Sequence, residues 1–211
     1  EYFDYYWLHA LAGTNYENVR KVGAFDFLVQ KKEEGRIRHI GFSFHDSPEL
    51  LERILKDHPE TEYVQLQLNY LDWDDAALRA KECYEIAARH GKPVIVMEPI
   101  KGGALANIPE KADEILKAQT PGLSTASWAI RFAATHENVM MVLSGMSNME
   151  QVADNLSYMK DFKPLSEAEM KALKQATDII RSGIAIPCTV CRYCISESEC
   201  SKNIAIPDYF A

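Results

Sequence analysis

The amino-acid sequence predicts an α/β protein: a partial TIM-type (β/α)8 barrel, comprising about its last five β/α units, followed by a C-terminal helix and a cysteine-rich tail. Three observations predict it. Short, nearly continuous apolar runs alternate with amphipathic helical segments, and a parallel strand pair needs a crossover of about a dozen residues that lays a helix on the sheet. The glycine fingerprint G-x-G-x-x-G that follows the first strand of a dinucleotide-binding open sheet does not occur, which favours the barrel. A complete barrel takes about 250 residues and eight units. Only five units are counted in these 211 residues, and the sequence enters directly on a strand without an initial Met, so about three units are expected ahead of Glu1.

Each element has a local reason. "YFDYYWLHAL" is rich in aromatics and reads as a strand. Helical spacing over Asn18–Glu34 stops at Gly35. "IRHIGFSF" is the second strand; Asp46, Ser47 and Pro48 then suit a helix cap and first turn, and Leu50, Leu51, Ile54 and Leu55 form an apolar stripe. The alternation continues through "YVQLQLNY", a helix from about Asp75 to His90, "KPVIVMEP", helices within Glu110–His136, "VMMVLSG" and a helix over Met149–Met159. Capping boxes are predicted at Ser147 with Glu150 and at Ser166 with Glu169, the second opening a final helix that ends near Gly183. Residues 1–183 are thus read as the barrel portion and 184–211 as the tail.

The composition, 47% hydrophobic and 26% charged, is that of a globular chain. A net charge of -8 argues against a nucleic-acid partner, whose binding needs clustered Lys and Arg. No apolar run approaches the roughly 20 residues of a membrane-spanning helix, and no secretion signal opens the sequence. The expected setting is cytoplasmic, where clustered cysteines serve metals or redox chemistry more often than disulfides.

In a parallel barrel the reactive groups stand at the carboxyl ends of the strands. Those ends carry His9; Ser43, Phe44 and His45; Gln65, Gln67 and Asn69; Met97 and Glu98; and Ser144 and Gly145. One such residue is as readily a loop anchor, but together they suggest a site. "DYYWLHAL", "IRHIGFSFHDSPELLERIL", "VQLQLNYL", "PVIVMEPIKGGAL" and "GMSNMEQVADNL", in that order, resemble the aldo-keto reductase family from its fourth strand to its eighth. With the "IPCTVCRYC" tail, the chain is similar to a bacterial branch of that family bearing a ferredoxin-like cysteine motif.

The resemblance implies a TIM barrel that binds NADP or NAD and reduces a small aldehyde or ketone by hydride transfer. It assigns the carbonyl-orienting histidine to His9, and places the family's Asp, Tyr and Lys on earlier strands that this sequence does not contain. Residues 1–211 alone are therefore not expected to be a competent reductase. Ser43 and Gln65 match the grip on the nicotinamide amide, with Phe44 where the family usually has Asn. Met97 stands where an aromatic often stacks under the ring. Gly145, Ser147, Gln151 and Asn155 match the nucleotide-binding segment. No cation lies between Gly145 and Met159, which leans the reading toward NAD over NADP.

Cys188, Cys191 and Cys194 form C-x2-C-x2-C, the run of bacterial sites for a 4Fe-4S cluster, with Cys200 as fourth ligand. Zinc is the alternative, although its sites more often separate two C-x-x-C pairs. The last interval has five residues where ferredoxins have three, and Ser201 follows where they have Pro. Cys83 reads as a core thiol. The rivals to an iron-sulfur oxidoreductase are a non-enzymatic electron-relay module, with a redox partner, and a zinc-stapled structural module. Five strands of an eight-stranded barrel leave open edges, so the isolated chain is expected to self-associate.

Overall fold

A computed structural model describes residues 1–184 together with Lys202, Ile204 and Ile206. The four tail cysteines, Cys188, Cys191, Cys194 and Cys200, lie outside the described residues. In chain order the elements are β1 (Phe3–Leu11), α1 (Tyr16–Lys21), α2 (Ala24–Glu33), β2 (Ile37–Phe44), α3 (Pro48–Asp57), β3 (Tyr63–Gln67), α4 (Ala80–Arg89), β4 (Val94–Met97), a 3-10 turn (Lys101–Ala106), α5 (Glu110–Gln119), α6 (Thr125–Thr135), β5 (Val139–Val142), α7 (Met149–Met159) and α8 (Glu167–Gly183). They pack as two compact units, one of Glu1–Pro99 with Ala133–Ser144, the other of Ile100–Phe132 with Gly145 onward.

The first unit holds the sheet. Its order is β1-β2-β3-β4-β5 and every pairing is parallel, as strand-helix alternation requires. Because side chains alternate across a strand, the registers sort the residues by face. Trp7, Gly41, Ser43, Tyr63, Gln65, Ile95 and Met97 share one face, while Leu8, Phe42, Phe44, Val64, Leu66 and Val96 share the other. Leu28 of α2 packs with Ile37 and Ile40 of β2, and Leu8 and Val29 border them. Ser47 caps α3 by accepting from the Leu50 amide, with Pro48 at the first helical position, as the sequence predicts. Cys83 is buried with a free thiol, whose pKa burial pushes up to about 12, which suits a core residue.

The single helix expected over Asn18–Glu34 is two. Gly23 takes a left-handed φ of 68°, which ends α1 and opens α2. Gly35, also left-handed at φ 72°, stops α2, with its amide and that of Arg36 closing back onto Lys32 and Lys31 carbonyls. The helix expected from Asp75 begins at Ala80. The Asp75 carboxylate accepts from the Ala77 and Leu78 amides, and this local turn outcompetes the first helical turn.

In the second unit α5 packs on α8, burying Ala112 and Leu116 of the one and Ala172, Leu173, Ala176 and Ile180 of the other. Polar ties fix the remaining elements: Ser124 to Asp154 at 2.6 Å, Thr125 to Asp113 at 2.5 Å, and Arg131 to Glu169 at 2.6 Å. The Ser166–Glu169 capping box of α8 is formed as predicted. The box expected at Ser147 and Glu150 is displaced by one residue. Asn148 is the cap of α7, accepting from the Gln151 amide at 2.9 Å while Gln151 Oε1 accepts from the Ser147 amide at 2.6 Å. Asn caps as well as Ser and Gln replaces Glu at the third position, so the amide pair takes the role.

Candidate functional site at the strand ends

His9 stands at a bulge. The β1–β2 register runs from Leu8↔Phe42 to Leu11↔Phe44, so His9 and Ala10 together face Ser43. An extra residue of this kind re-aims the side chains around it. Ala10 takes a left-handed φ of 53°, a conformation disfavoured for a non-glycine residue. Side chains hold it there: the Ala10 amide donates to Ser43 Oγ at 2.7 Å, and Asn15 Nδ2 donates to the Ala10 carbonyl at 2.7 Å. The loops beyond are also tied, with the Gly13 amide donating to Asp46 Oδ2 at 2.8 Å and the His45 amide to the Leu11 carbonyl at 3.1 Å. The Gly13 bond, helped by those from Ser47, holds the Asp46 carboxyl below the usual range.

Ser43 is fully buried, and its register partner Gln65 is nearly so at 8% exposure. Gln65 Nε2 donates to Met97 Sδ at 3.3 Å, while Gln65 Oε1 is buried with no hydrogen-bond partner among the described residues. Four of the residues predicted for the site, His9, Ser43, Gln65 and Met97, therefore come from neighbouring ends of one sheet. Phe44 points to the opposite face and is core, packing edge-on against Phe42.

Beyond β4, Glu98 is exposed and left-handed at φ 54°. Its carbonyl accepts from Asn69 Nδ2 at 3.2 Å. Asn69 is itself fully buried; its Oδ1 accepts from the Leu71 and Asp72 amides, and its Nδ2 also donates to Asp72 Oδ2 at 2.8 Å. His45, half-buried at the end of β2, has its pKa lowered by burial and by His9, against an opposing pull from Glu98.

Gly145, Ser147, Gln151 and Asn155 belong to the second unit. Residues Gly145–Gln151 are exposed around the N-terminus of α7, where first-turn amides and the helix dipole favour anions. Ser147 and Gln151 are bonded to each other there, and Glu150 adds a negative charge to the first turn. Asn155 Oδ1 accepts from the Tyr158 hydroxyl. Among the described residues, no group of three or more His, Cys, Asp or Glu is placed to hold a metal ion, and no helix is long and apolar enough to cross a membrane.

The sequence model of the Aldo/keto reductase family matches residues 1–178. The chain belongs to this family. It is 25% identical over 199 residues to an uncharacterized oxidoreductase, YqkF, of Bacillus subtilis (strain 168), covering 84% of this chain and 61% of that protein. Among solved structures it resembles aldo-keto reductase AKR11C1 from Bacillus halodurans in its holo form, with a TM-score of 0.64, 24% identity and coverage of 83% of this chain and 59% of that one. An aldo/keto reductase from Klebsiella pneumoniae in complex with NADP and acetate gives a TM-score of 0.62 at 19% identity, over 82% of this chain and 58% of that one. The chain thus spans about three-fifths of the length of these relatives. The structural likenesses carry the fold, an α/β architecture with a parallel sheet, as part of the aldo-keto reductase barrel would have. What the sequence reading left without a role is Glu98, His45 and the Asn69 clasp. All three were visible as strand-end positions, but the left-handed backbone at Glu98 has no glycine or asparagine to announce it.

Proposed function

We propose that this chain supplies the carbonyl-facing and nicotinamide-facing strand ends of an NAD(P)-dependent oxidoreductase acting on an aldehyde or ketone, with NAD preferred to NADP. The observation that carries this is the buried, unpartnered Gln65 Oε1 beside Met97, on the face of the sheet that also holds Ser43. A buried acceptor without a donor costs about 1–3 kcal/mol, and a carboxamide N–H of the cofactor is a donor that relieves it. The Ser43 hydroxyl accepts from Ala10 and retains one proton to donate. Met97 offers a soft wall to a flat ring. The bound nicotinamide would supply the hydride. His9 would orient the carbonyl and hydrogen-bond its oxygen. The family's Tyr has no match in this sequence, and general acid catalysis is worth about 10² to 10⁴ in rate, so turnover by 1–211 alone is expected to be slower by that order.

Titrating the full 211-residue chain with NAD and with NADP tests the reading. NAD is expected to bind at least as tightly as NADP, because the segment that matches the family's nucleotide-binding residues, Gly145 to Asn155, carries Glu150 and no cation to pair with a 2'-phosphate. Gln65→Leu should weaken NAD by roughly 5- to 10-fold, the value of about one hydrogen bond. Tighter NADP binding overturns the preference, and binding of neither nucleotide favours the electron-relay reading.

We further propose that Cys188, Cys191, Cys194 and Cys200 hold one 4Fe-4S cluster, since four cysteines in a short stretch of sequence offer the soft thiolates of that donor set. Anaerobic purification should yield about four irons and four sulfides per chain. One zinc and no sulfide would replace the cluster with a structural staple.

A further inference from the structure

Asn15 lies in the turn between β1 and α1, and both halves of its side-chain amide are bonded. Its Nδ2 donates to the Ala10 carbonyl at 2.7 Å, and its Oδ1 accepts from the Ala12 amide at 3.0 Å. The two bonds bracket Leu11, which is fully buried and whose carbonyl accepts from the His45 amide at 3.1 Å. Beside this bracket Ala10 keeps its left-handed φ of 53°. A non-glycine residue stays there only where its surroundings over-determine it, and such positions collect at functional sites. What the conformation achieves is a contact: the Ala10 N–H reaches the fully buried Ser43 Oγ at 2.7 Å, 33 residues further along the chain. With an amide N–H on its oxygen, the Ser43 hydroxyl keeps its own proton to donate. The register sets Ser43 beside Gln65, whose buried Oε1 is an acceptor. One donor and one acceptor on the same face complement the C=O and N–H of a carboxamide.

We propose that Asn15 is a positioning residue for the cofactor site: it holds the Ala10 amide on Ser43 Oγ and thereby makes Ser43 a hydrogen-bond donor to the nicotinamide carboxamide. This rests on the reading of Ser43 and Gln65 as the nicotinamide grip. Without the tie from Asn15, Ala10 relaxes out of the left-handed region and its N–H turns away from Ser43. The hydroxyl is then free to bond its own neighbouring backbone, as serine does where nothing directs it. Asp at position 15 separates this role from that of the turn. It keeps the acceptor for the Ala12 amide and is as good a turn residue, but it has no N–H for the Ala10 carbonyl. Glycine at position 10 is the complementary change, because it takes a φ near 53° without steric cost.

The test reads the Ala10 amide and the nucleotide site of the full chain. In Asn15→Asp, hydrogen exchange at the Ala10 amide should accelerate by about 10-fold or more. Affinity for NAD should fall by roughly 5- to 10-fold, the value of about one hydrogen bond. Adding Ala10→Gly to Asn15→Asp should return most of that affinity. Because Asn15 acts through Ser43, Asn15→Asp in a Ser43→Ala background should change NAD affinity by less than about 2-fold. A residue that only stabilised the turn would lower the melting temperature and leave NAD affinity alone, or would weaken NAD equally in both backgrounds. Either result overturns the proposal, as does unchanged exchange at Ala10 in Asn15→Asp. Failure of the nicotinamide reading would register separately, as absent nucleotide binding by the parent chain, with the Ala10 exchange still deciding whether Asn15 holds the bond to Ser43.

Discussion

Gly41→Ala is expected to destabilise the chain by about 3 kcal/mol or more, at the upper end of what overpacking costs. Gly41 lies mid-strand in β2, paired with Trp7 on one side and Tyr63 on the other. A Cβ there would sit 2.5 Å from the Tyr63 carbonyl oxygen and 2.7 and 2.8 Å from two carbons of its ring. The ring is 1% exposed and held edge-on by Tyr5 and Trp7, with centroids at 5.4 and 6.2 Å. It therefore has little room to swing away. The carbonyl is backbone in the adjacent strand, so that contact is relieved only by moving β2 from β3. Thermal unfolding should drop by roughly 6–12 °C for a chain of this size. Tyr63→Leu in the same chain removes the ring contacts but not the carbonyl contact, and it should not restore stability. A melting temperature within about 2 °C of the parent would show that the strands adjust and would sink the argument.

The parts of this structure written in local chemistry were readable in advance. Five parallel strands follow from period and crossover length, Ser47–Pro48 and Ser166–Glu169 start their helices, and Gly35 stops one. What failed to show depended on a choice between two competent local signals or on distant partners. Asn148 displaced Ser147 as cap because both are good acceptors and only the chain's path selects one. Asp75 could begin a helix or close a turn, and the turn won. The bulge at His9 and Ala10 is invisible in "LHAL" because its support comes from Ser43, 33 positions away. The role of Gly41 likewise depends on Tyr63, and nothing around Gly41 signals it. At the site, residue type and strand-end position were legible, whereas the buried acceptor on Gln65 required the packing of β3 between its neighbours.

Asn69→Ala is the second change expected to have a large effect, about 3 kcal/mol of stability, and it reaches the site as well. The Asn69 amide group accepts from two backbone N–H groups at 3.1 and 2.9 Å and donates to the Asp72 carboxylate and the Glu98 carbonyl. Asp72 is 4% exposed, and Gln67 Nε2 reaches the same Oδ2 at 3.0 Å. Neutral hydrogen bonds contribute about 1 kcal/mol each and those to a buried charge about 1.5–3, so removing the group in one step outweighs an ordinary surface change. Denaturant unfolding measures that loss. The same truncation frees the Glu98 carbonyl, letting its left-handed peptide relax and withdrawing the carboxylate from His45. In the folded protein the His45 midpoint should then fall, because Glu98 opposes the lowering by burial and by His9, although Glu98 itself is untouched. Loss of stability with an unmoved His45 midpoint would make Asn69 a loop anchor only, whereas movement of both ties the strained backbone at Glu98 to the chemistry of the strand ends.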